Sequence, residues 1–474
     1  MRPLWTVAEV VNATGGHPEG LSDGPLSSIS IDSRDIAPEA LFVAIKGDKL
    51  DGHDYVGKAL EAGASAALVS EAHFKALGGE RLIVVPDTLK ALEAMGIAAR
   101  ARNRGQIVAV TGSAGKTTTK EAIRTVLATF GETHYSIRSF NNHWGVPLML
   151  ARLPREAQFG VFEVGMNHAG EIAQLVKMVR PHVAVITTVA AAHLEFFNSV
   201  SDIAAAKAEI FLGLEPGGAA VLNTDHDYLH VLFAHARAAG VSKVVTYGFD
   251  ESADWRIVKA DPSPKGTLAE VVHGGEHYNF HLQVPGRHMV ANAVAALAVA
   301  QVSGEGTRAA IAALAGFGAP EGRGLTLRLG PGDKPLLLVD ESYNANVASM
   351  NAAMDLFSGI VPPGGSKVLV LGDMLEMGPQ GPQLHAGLLG AVLKTGARRI
   401  FLVGEAMRSL AEALRRHAET DRDAPGVTHM PTASEIADEV LAALAYGDAV
   451  MVKGSNGVRL AQLVQKIRER FENA

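Results

Sequence analysis

The sequence has no cysteine, which excludes disulfides, thiolate zinc sites and a cysteine nucleophile and leaves any metal to oxygen or imidazole ligands. It has no excess of positive charge either. With 43 Lys+Arg against 50 Asp+Glu the formal net charge is −7, so a polyanion finds no electrostatic footprint and no nucleic-acid partner is expected. Long apolar runs are also missing. The longest, around Val290–Val302, is interrupted by Asn292 and Gln301, and Met1–Gly15 holds no continuous apolar core of a leader. Neither an export signal nor a membrane span is expected, and the chain reads as cytoplasmic. Internal repeats and low-complexity tracts are absent.

What is present is a composition 47% hydrophobic and 20% charged, with 50 glycines in 474 residues. That fits an α/β enzyme rich in tight strand-to-helix turns. The length exceeds one ordinary core and implies about three domains of roughly 100 to 200 residues each. Residues 1–86 carry short β-like runs at Ser28–Ile31, Leu41–Ile45, Ala66–Val69 and Leu82–Val85, the pattern of a small α/β domain. An amphipathic helix over Leu89–Arg104 then leads into a strand at Ile107–Thr111. Across 87–324, strand candidates Gln158–Val164, Val183–Val189 and Ala219–Asn223 alternate with helical stretches, which predicts a parallel sheet. The alternation resumes over 325–474, with strands at Leu336–Asp340, Lys367–Leu371, Ile400–Val403 and Ala449–Lys453, as in a doubly wound domain. Gly316–Pro335, bearing glycine and proline, reads as the linker.

The strongest local signal is Val110-Thr111-Gly112-Ser113-Ala114-Gly115-Lys116-Thr117-Thr118. Ile123, Val126, Leu127 and Phe130 follow at helical spacing, so the loop opens a helix whose free N–H groups and dipole favour phosphate. Lys116 is expected to reach the β- and γ-phosphates and the Thr117 hydroxyl to meet Mg²⁺. Only Ser113 and Ala114 separate the glycines, a shortening of the usual spacing. The competing reading is a glycine-rich turn with a surface lysine.

Glu163 interrupts an apolar strand at its carboxyl end, where α/β sheets bind ligands; it is either a Mg²⁺ ligand or a solvent-facing carboxylate. His193, four residues past Val189, reaches the same sheet edge or is structural. Lys207 shares a stripe with Ile203, Ile210 and Leu214. Its ammonium either snorkels outward or points into the site with a lowered pKa, open to chemical modification. His288 and Asn292 share a helix face, where Asn292 reads an adenine edge or is simply packed. Arg323 stands at the second boundary, where a guanidinium can fold over a γ-phosphate as domains close. Asp340, followed by Glu341-Ser342-Tyr343-Asn344-Ala345-Asn346, puts dense polarity at the mouth of the last domain.

Taken in order, these pieces resemble the Mur ligase family of peptidoglycan synthesis over nearly the whole chain. The loop is similar to the family's shortened phosphate loop. Phe162-Glu163-Val164-Gly165-Met166-Asn167 and His193-Leu194 match positions that hold Mg²⁺ there, and Lys207, in Ala206-Lys207-Ala208-Glu209-Ile210-Phe211, matches a lysine carried as a carbamate. Asn292 and Arg323 fall where the family contacts adenine and phosphate. Asp32-Ser33-Arg34, Leu41-Phe42-Val43-Ala44, Gly47 and Asp51-Gly52-His53 resemble the UDP-binding domain of members that add the third residue or the terminal dipeptide. The run Asp340–Asn346 with Leu371-Gly372-Asp373-Met374-Leu375-Glu376-Met377-Gly378 looks like the dipeptide-adding members, and no Asp-Asn-Pro-Arg run occurs. Met289, where an asparagine usually follows the histidine, and Ser455-Asn456-Gly457, near a Lys-Gly-Ser-Arg position, depart from the pattern.

The resemblance implies a small α/β UDP-binding domain, a central P-loop ATPase-type parallel-sheet domain and a C-terminal Rossmann-like doubly wound domain. It implies ATP, two Mg²⁺ ions and a CO₂-derived carbamate on Lys207 as cofactors, with Lys116, Lys207, His193 and Arg323 serving catalysis. ATP would meet Gly112 to Thr118, Asn292, Arg323 and Asp340; metal would meet Thr117, Glu163, His193 and Lys207. Ser33, Arg34, Gly47, Asp51, His53, Asn141, Asn142, Tyr343, Asn344 and Asn346 would bind substrates, a UDP-MurNAc-tripeptide and D-Ala-D-Ala. A monomer is expected. Rival readings are the diaminopimelate- or lysine-adding Mur ligases, a folylpolyglutamate synthetase and a non-catalytic P-loop switch.

Overall fold

The computed structural model describes residues 3–47, 50–263 and 265–472. In the first unit, Ser28–Ser30, Ala40–Val43, Ala66–Ser70 and Leu82–Val85 form a parallel sheet, edged by antiparallel His17–Glu19. The run Leu82-Ile83-Val84-Val85 is continuous in apolar residues because both faces are covered. Leu82 and Val84 join one apolar cluster with Phe42 and Val56, while Ile83 and Val85 join another with Trp5 and Met95.

That second cluster does not stop at the domain boundary. The helix Thr88–Arg102 starts on an Asp87 cap and buries Leu92, Met95 and Ala99, and the same cluster takes in Ile107, Leu148, Phe162 and Ile186 of the central unit. Arg100, 5% exposed, donates to the carbonyls of Val179 and Arg180 at 2.8 and 2.7 Å. Trp5 donates its indole N–H to Ala151 O at 2.8 Å beneath the Arg102 guanidinium.

The central sheet has nine strands. In spatial order they are Glu276–Leu282, Gly266–His273, Trp255–Ser263, Lys243–Gly248, Ala219–Asn223, Val183–Ile186, Gln106–Thr111, Phe159–Glu163 and Thr133–Tyr135. The expected parallel sheet is present from Thr133–Tyr135 to Trp255–Ser263. Beyond it lies an antiparallel extension, 255–282, that the reading of the sequence did not contain. Its signal was there: Gly274 and Gly275, at φ 58° and 84°, form a two-residue turn between paired His273 and Glu276, the geometry of a tight hairpin. The long helix Arg287–Val302 lies buried against this sheet.

The C-terminal sheet runs Leu325–Leu329, Leu336–Glu341, Ala449–Lys453, Lys367–Gly372, Arg399–Val403 and Gly426–Met430, parallel except for the first hairpin. This corrects the linker. Leu325, Leu327 and Leu329 alternate with exposed Thr326 and Arg328, so a quarter of the expected connector is an edge strand whose short alternating pattern is masked by flanking glycine and proline. No helix among the described residues is long and apolar enough to cross a membrane.

Trp5 fastens the first unit to the central one, and replacing it with Ala removes a 2% exposed side chain together with its hydrogen bond. A stability loss of about 3–5 kcal/mol is expected by denaturant titration; a loss under about 1 kcal/mol would show that the shared core does not depend on this anchor.

Candidate active site

The site grows from one strand order. Gln106–Thr111 lies between Phe159–Glu163 and Val183–Ile186, with Glu163 paired to Val110 and Ile186 to Thr111. The chain leaves this central strand toward both sides of the sheet, and crevices form at such switch points. Three loops therefore meet at one carboxyl edge.

The phosphate loop joins that strand to the helix Lys116–Leu127, which opens at Gly115 with φ 80°. Neither glycine of the loop is replaceable without strain. A Cβ on Gly115 would sit 2.9 Å from Asn292 Oδ1, and one on Gly112, at φ 152°, would sit 1.9 Å from Thr187 Oγ1. Ser113 N–H donates to Thr188 O at 2.9 Å, Ser113 Oγ to Ala190 O at 2.9 Å, and Thr187 Oγ1 to Ala114 O. The loop is thus held before any anion arrives. Lys116 folds back so that Nζ donates to Gly112 O at 2.7 Å.

Glu163, 1% exposed, accepts from Thr117 Oγ1 and from Asn141 Nδ2, each at 2.7 Å. A hydroxyl and a carboxylate in contact form a hard-oxygen donor set of the kind Mg²⁺ takes. Asn141 therefore serves this carboxylate. Lys207 is 1% exposed, and among the described residues its amine has no hydrogen-bond or ion-pair partner. Burial first, and then the charge of Lys116, hold it well below the ordinary lysine range. Burial also lowers Lys116; Glu163 opposes that shift and Arg323 adds to it. Arg323 stacks on Tyr343 at 4.3 Å and donates to Ser139 Oγ at 3.3 Å.

Two cavities flank the loop. One of about 390 Å³ is lined by Ser113, Gly115, Thr118 and Asn292 from the central unit and by Glu341, Asn346 and Lys453 from the C-terminal unit. The other, about 260 Å³, takes in Lys116, Asn141, Glu163, Arg323, Tyr343 and Asn344. Both hold Ser113, Ala114, Gly115 and Arg323. A nucleotide in the first can therefore present its terminal phosphate toward the second.

Other expected site residues have different partners here. Asp340 does not line the nucleotide cavity; its carboxylate accepts Gly322 N, Ser342 N and Ser342 Oγ at 3.2, 3.1 and 2.6 Å, which fixes the connection bearing Arg323. Asn142 Oδ1 accepts Gly145 N–H at 2.9 Å, where the helix Gly145–Ala151 begins, and this occupies its side-chain oxygen. Asn346 caps Val347–Ser358 while its Nδ2 donates to Ser113 O at 3.3 Å, so it ties the C-terminal unit to the phosphate loop. Asn292 accepts from Thr119 Oγ1 at 3.1 Å. His193 does not touch Glu163: its Nδ1 bonds Glu376 of the C-terminal unit, which holds that carboxyl below its usual range.

In the first unit, Arg34 pairs with Asp32 through two side-chain bonds of 2.9 and 2.7 Å and holds its carboxyl at about 2. Ser33 beside them is buried, and Gly47 N–H donates to Leu50 O at 2.9 Å. His53 is engaged on both nitrogens, by Asp51 at 2.6 Å and by Ser70 N–H at 3.0 Å. Asp51, His53 and His73 converge closely enough to suggest a metal, but His53 has no lone pair left to offer; Asp51 and His53 shape the loop instead.

Several lining residues escaped the reading of the sequence. Asn223, Asp225 and Phe249 line the first cavity, and Lys453, 1% exposed, pairs with Glu341 at 3.1 Å. Lys453 ends an apolar strand as Asp340 nearly does, a signal that could have found it. Lys120, fully buried, donates to Ser136 O at 2.5 Å and Arg138 O at 3.3 Å, holding the segment that carries Ser139 and Asn141.

The profile of the Mur ligase middle domain matches residues 110–300, that of the Mur ligase, glutamate ligase domain residues 328–456, and that of the Mur ligase family, catalytic domain residues 25–129. The UDP-N-acetylmuramoyl-tripeptide–D-alanyl-D-alanine ligase of Escherichia coli (strain K12) is 33% identical over 466 residues, covering 98% of each chain. Its namesake from Bacillus subtilis (strain 168) is 31% identical over 468 residues, covering 99% of this chain and 98% of the relative. A crystal structure of MurF from Acinetobacter baumannii superposes with a TM-score of 0.82 at 28% identity, covering 98% of this chain and 99% of that one.

Gly112→Ala tests the loop, since the added methyl meets Thr187 at a backbone angle that disfavours any side chain. Titration with a fluorescent ATP analogue is expected to show affinity at least about tenfold weaker, roughly 1.4 kcal/mol. Unchanged affinity would remove this loop from nucleotide binding.

Proposed function

The chain belongs to the Mur ligase family, and on that premise we propose that it joins D-alanyl-D-alanine to UDP-N-acetylmuramoyl-tripeptide with ATP, giving the pentapeptide precursor of peptidoglycan. The supporting observation is the gathering of Lys116 and Arg323 with Glu163 in one cavity beside the phosphate loop, with the buried Lys207 in the field of Lys116. The names of the Escherichia coli and Bacillus subtilis relatives support the dipeptide as the incoming group.

The tripeptide's terminal carboxylate oxygen attacks the γ-phosphorus, the bond to the β-γ bridging oxygen breaks, and ADP leaves an acyl phosphate. The dipeptide amine then attacks the acyl carbon. It loses a proton, and inorganic phosphate departs with the former carboxylate oxygen. Lys116 and Arg323 oppose the charge that develops on the transferring phosphoryl group, and fixed charges so placed supply most of the catalysis in such reactions. Thr117 and Glu163 would hold Mg²⁺, which neutralises phosphate charge when bound. An α-amino group with a pKa of roughly 7.7–8 is partly neutral near pH 7 and needs little basic help. Contacts of Asn346 with Ser113 and of Arg323 with Ser139 bring the units together over the site, which keeps water from the acyl phosphate.

Lys207 fits a carbamate. A buried amine with no partner and a lowered proton affinity is neutral at lower pH than an ordinary lysine. The lone pair of the neutral amine adds to the carbon of CO₂ and one proton leaves to water, so that a side chain that has already given up its ammonium proton becomes an anionic oxygen ligand. The first unit would take the UDP group through the loops that carry Ser33, Arg34, Gly47 and Asp51. Tyr343 and Asn344 in the second cavity stand near where the dipeptide amine must arrive.

Phosphate release with Mg-ATP and the UDP-tripeptide is expected to require D-Ala-D-Ala, with a product heavier by one dipeptide less water. Turnover of the UDP-dipeptide with diaminopimelate or lysine, or of folate substrates, would replace this reading, and no amine-dependent turnover would leave a switch. The carbamate predicts a pH effect of definite sign. Falling pH protonates the Lys207 amine and releases CO₂, so activity in CO₂-depleted buffer should fall on the acid side and return with added bicarbonate. Lys207→Ala should lose activity by about a hundredfold or more, of the order of several kcal/mol, and should not respond to bicarbonate.

A further inference from the structure

The segment between Thr133–Tyr135 and the helix Gly145–Ala151 joins the phosphate site to the first unit. Ser139 and Asn141 line the smaller cavity beside the phosphate loop, and Phe140 packs against the apolar cluster that holds Ile29 of the first unit together with Leu148 of the central one. Arg152, just past that helix, donates to Ile29 O at 2.8 Å. The strand that leads into Asp32, Ser33 and Arg34 is therefore fastened to the central unit here. Within the segment, Arg138 is exposed and lies at φ 49°. That left-handed angle is free to glycine and costs any other residue, so it persists only where the surroundings over-determine it. Lys120 does so: its fully buried ammonium donates to Ser136 O at 2.5 Å and to Arg138 O at 3.3 Å, bracing the turn from both sides.

Two guanidinium groups act on the Asp32 carboxyl of the first unit. Arg34 holds it at about 2 through side-chain and backbone hydrogen bonds, and Arg138 adds its field from the central unit. Arg34 spends its Nε and Nη2 on that carboxylate. The Arg138 guanidinium has no hydrogen-bond or ion-pair partner among the described residues. A guanidinium offers N–H donors in a fork that suits phosphate or carboxylate oxygens. A merely solvated arginine has no need of a strained backbone braced by a buried lysine.

We propose, resting on the ligase reading above, that Arg138 is a substrate-binding residue whose guanidinium takes an anionic group of the UDP-linked tripeptide, where that substrate passes from the loops of the first unit to the cavity holding Lys116 and Glu163. The diphosphate and the peptide carboxylates both offer that chemistry. Ser139 and Asn141 follow in the same turn, where Phe140 N–H donates to Ile137 O at 3.4 Å and Asn141 N–H to Ser139 O at 2.8 Å. The anion on Arg138 and the carboxylate that meets ATP are thus held in register by one short piece of braced backbone.

The test is calorimetric titration of the full chain with UDP-N-acetylmuramoyl-tripeptide and with UDP alone, beside titration with the fluorescent ATP analogue. Arg138→Gly suits the backbone and removes only the cation, so its melting temperature is expected to match the parent's while its affinity for the UDP-tripeptide falls by about tenfold. Arg138→Lys, which keeps the charge without the fork, should fall between the two. The parent's affinity should drop more steeply with added salt than that of Arg138→Gly, and the ATP analogue should bind both alike. A matching loss with UDP alone identifies the diphosphate as the group held; a loss confined to the tripeptide identifies a carboxylate. UDP-tripeptide affinity within about twofold of the parent in Arg138→Gly, or an equal loss for the ATP analogue, overturns the proposal. A parent that does not bind the UDP-tripeptide overturns the ligase reading itself, so the two failures are distinct.

Discussion

Positive charge gathered around a single buried carboxylate is the constraint on which the rest of this molecule depends. Lys116 sits between the opposing fields of Arg323 and Glu163 and itself bears on the buried Lys207, in a chain whose overall charge is −7. Such a cluster is unfavourable without an anion and favourable with several, which is why a polyphosphate belongs there. The fold answers this with rigidity. The phosphate loop is tied to Thr188 and Ala190 of the neighbouring strand's loop, and Glu163 is locked by Thr117 and Asn141.

Rigidity on one side permits movement on the other. The first unit shares an apolar cluster with the central sheet through the helix Thr88–Arg102, whereas the C-terminal unit keeps its own clusters and meets the central unit through polar contacts. Polar contacts across a cleft part more readily than a packed core. The chain thus joins a first unit packed onto the central sheet to a C-terminal unit held by polar contacts, with the connection at Gly322–Arg323 held by Asp340. That connection carries Arg323, which lines both cavities beside the phosphate loop.

The same economy gives several polar residues near the site a structural task. Asp340, Asn142 and His53 lie where substrates are expected, but each is engaged by backbone N–H groups of a loop or helix start. Buried polar backbone must be satisfied somewhere, and short polar side chains at loop mouths do this next to the residues that touch ligand. Sequence position near a site does not separate the two uses. The hydrogen-bond partners do.

What the sequence by itself determined was local: the strand, shortened loop and helix around Lys116, the carboxylate closing the strand at Glu163, the lysine on the apolar stripe at Lys207, and a division into three α/β units. Each follows from periodicity and from residue types a few positions apart, and so survives without knowledge of the rest. The antiparallel extension over 255–282 and the edge strand Leu325–Leu329 were written there as well, in patterns too short and too interrupted to stand out. Only the tertiary structure decided that Glu163 lies opposite Val110, that Asn346 meets Ser113 across 233 residues, and that His193 finds Glu376. Strand order and the seating of one unit on another arise from long-range pairing and burial, and local periodicity carries no record of which distant partner satisfies them.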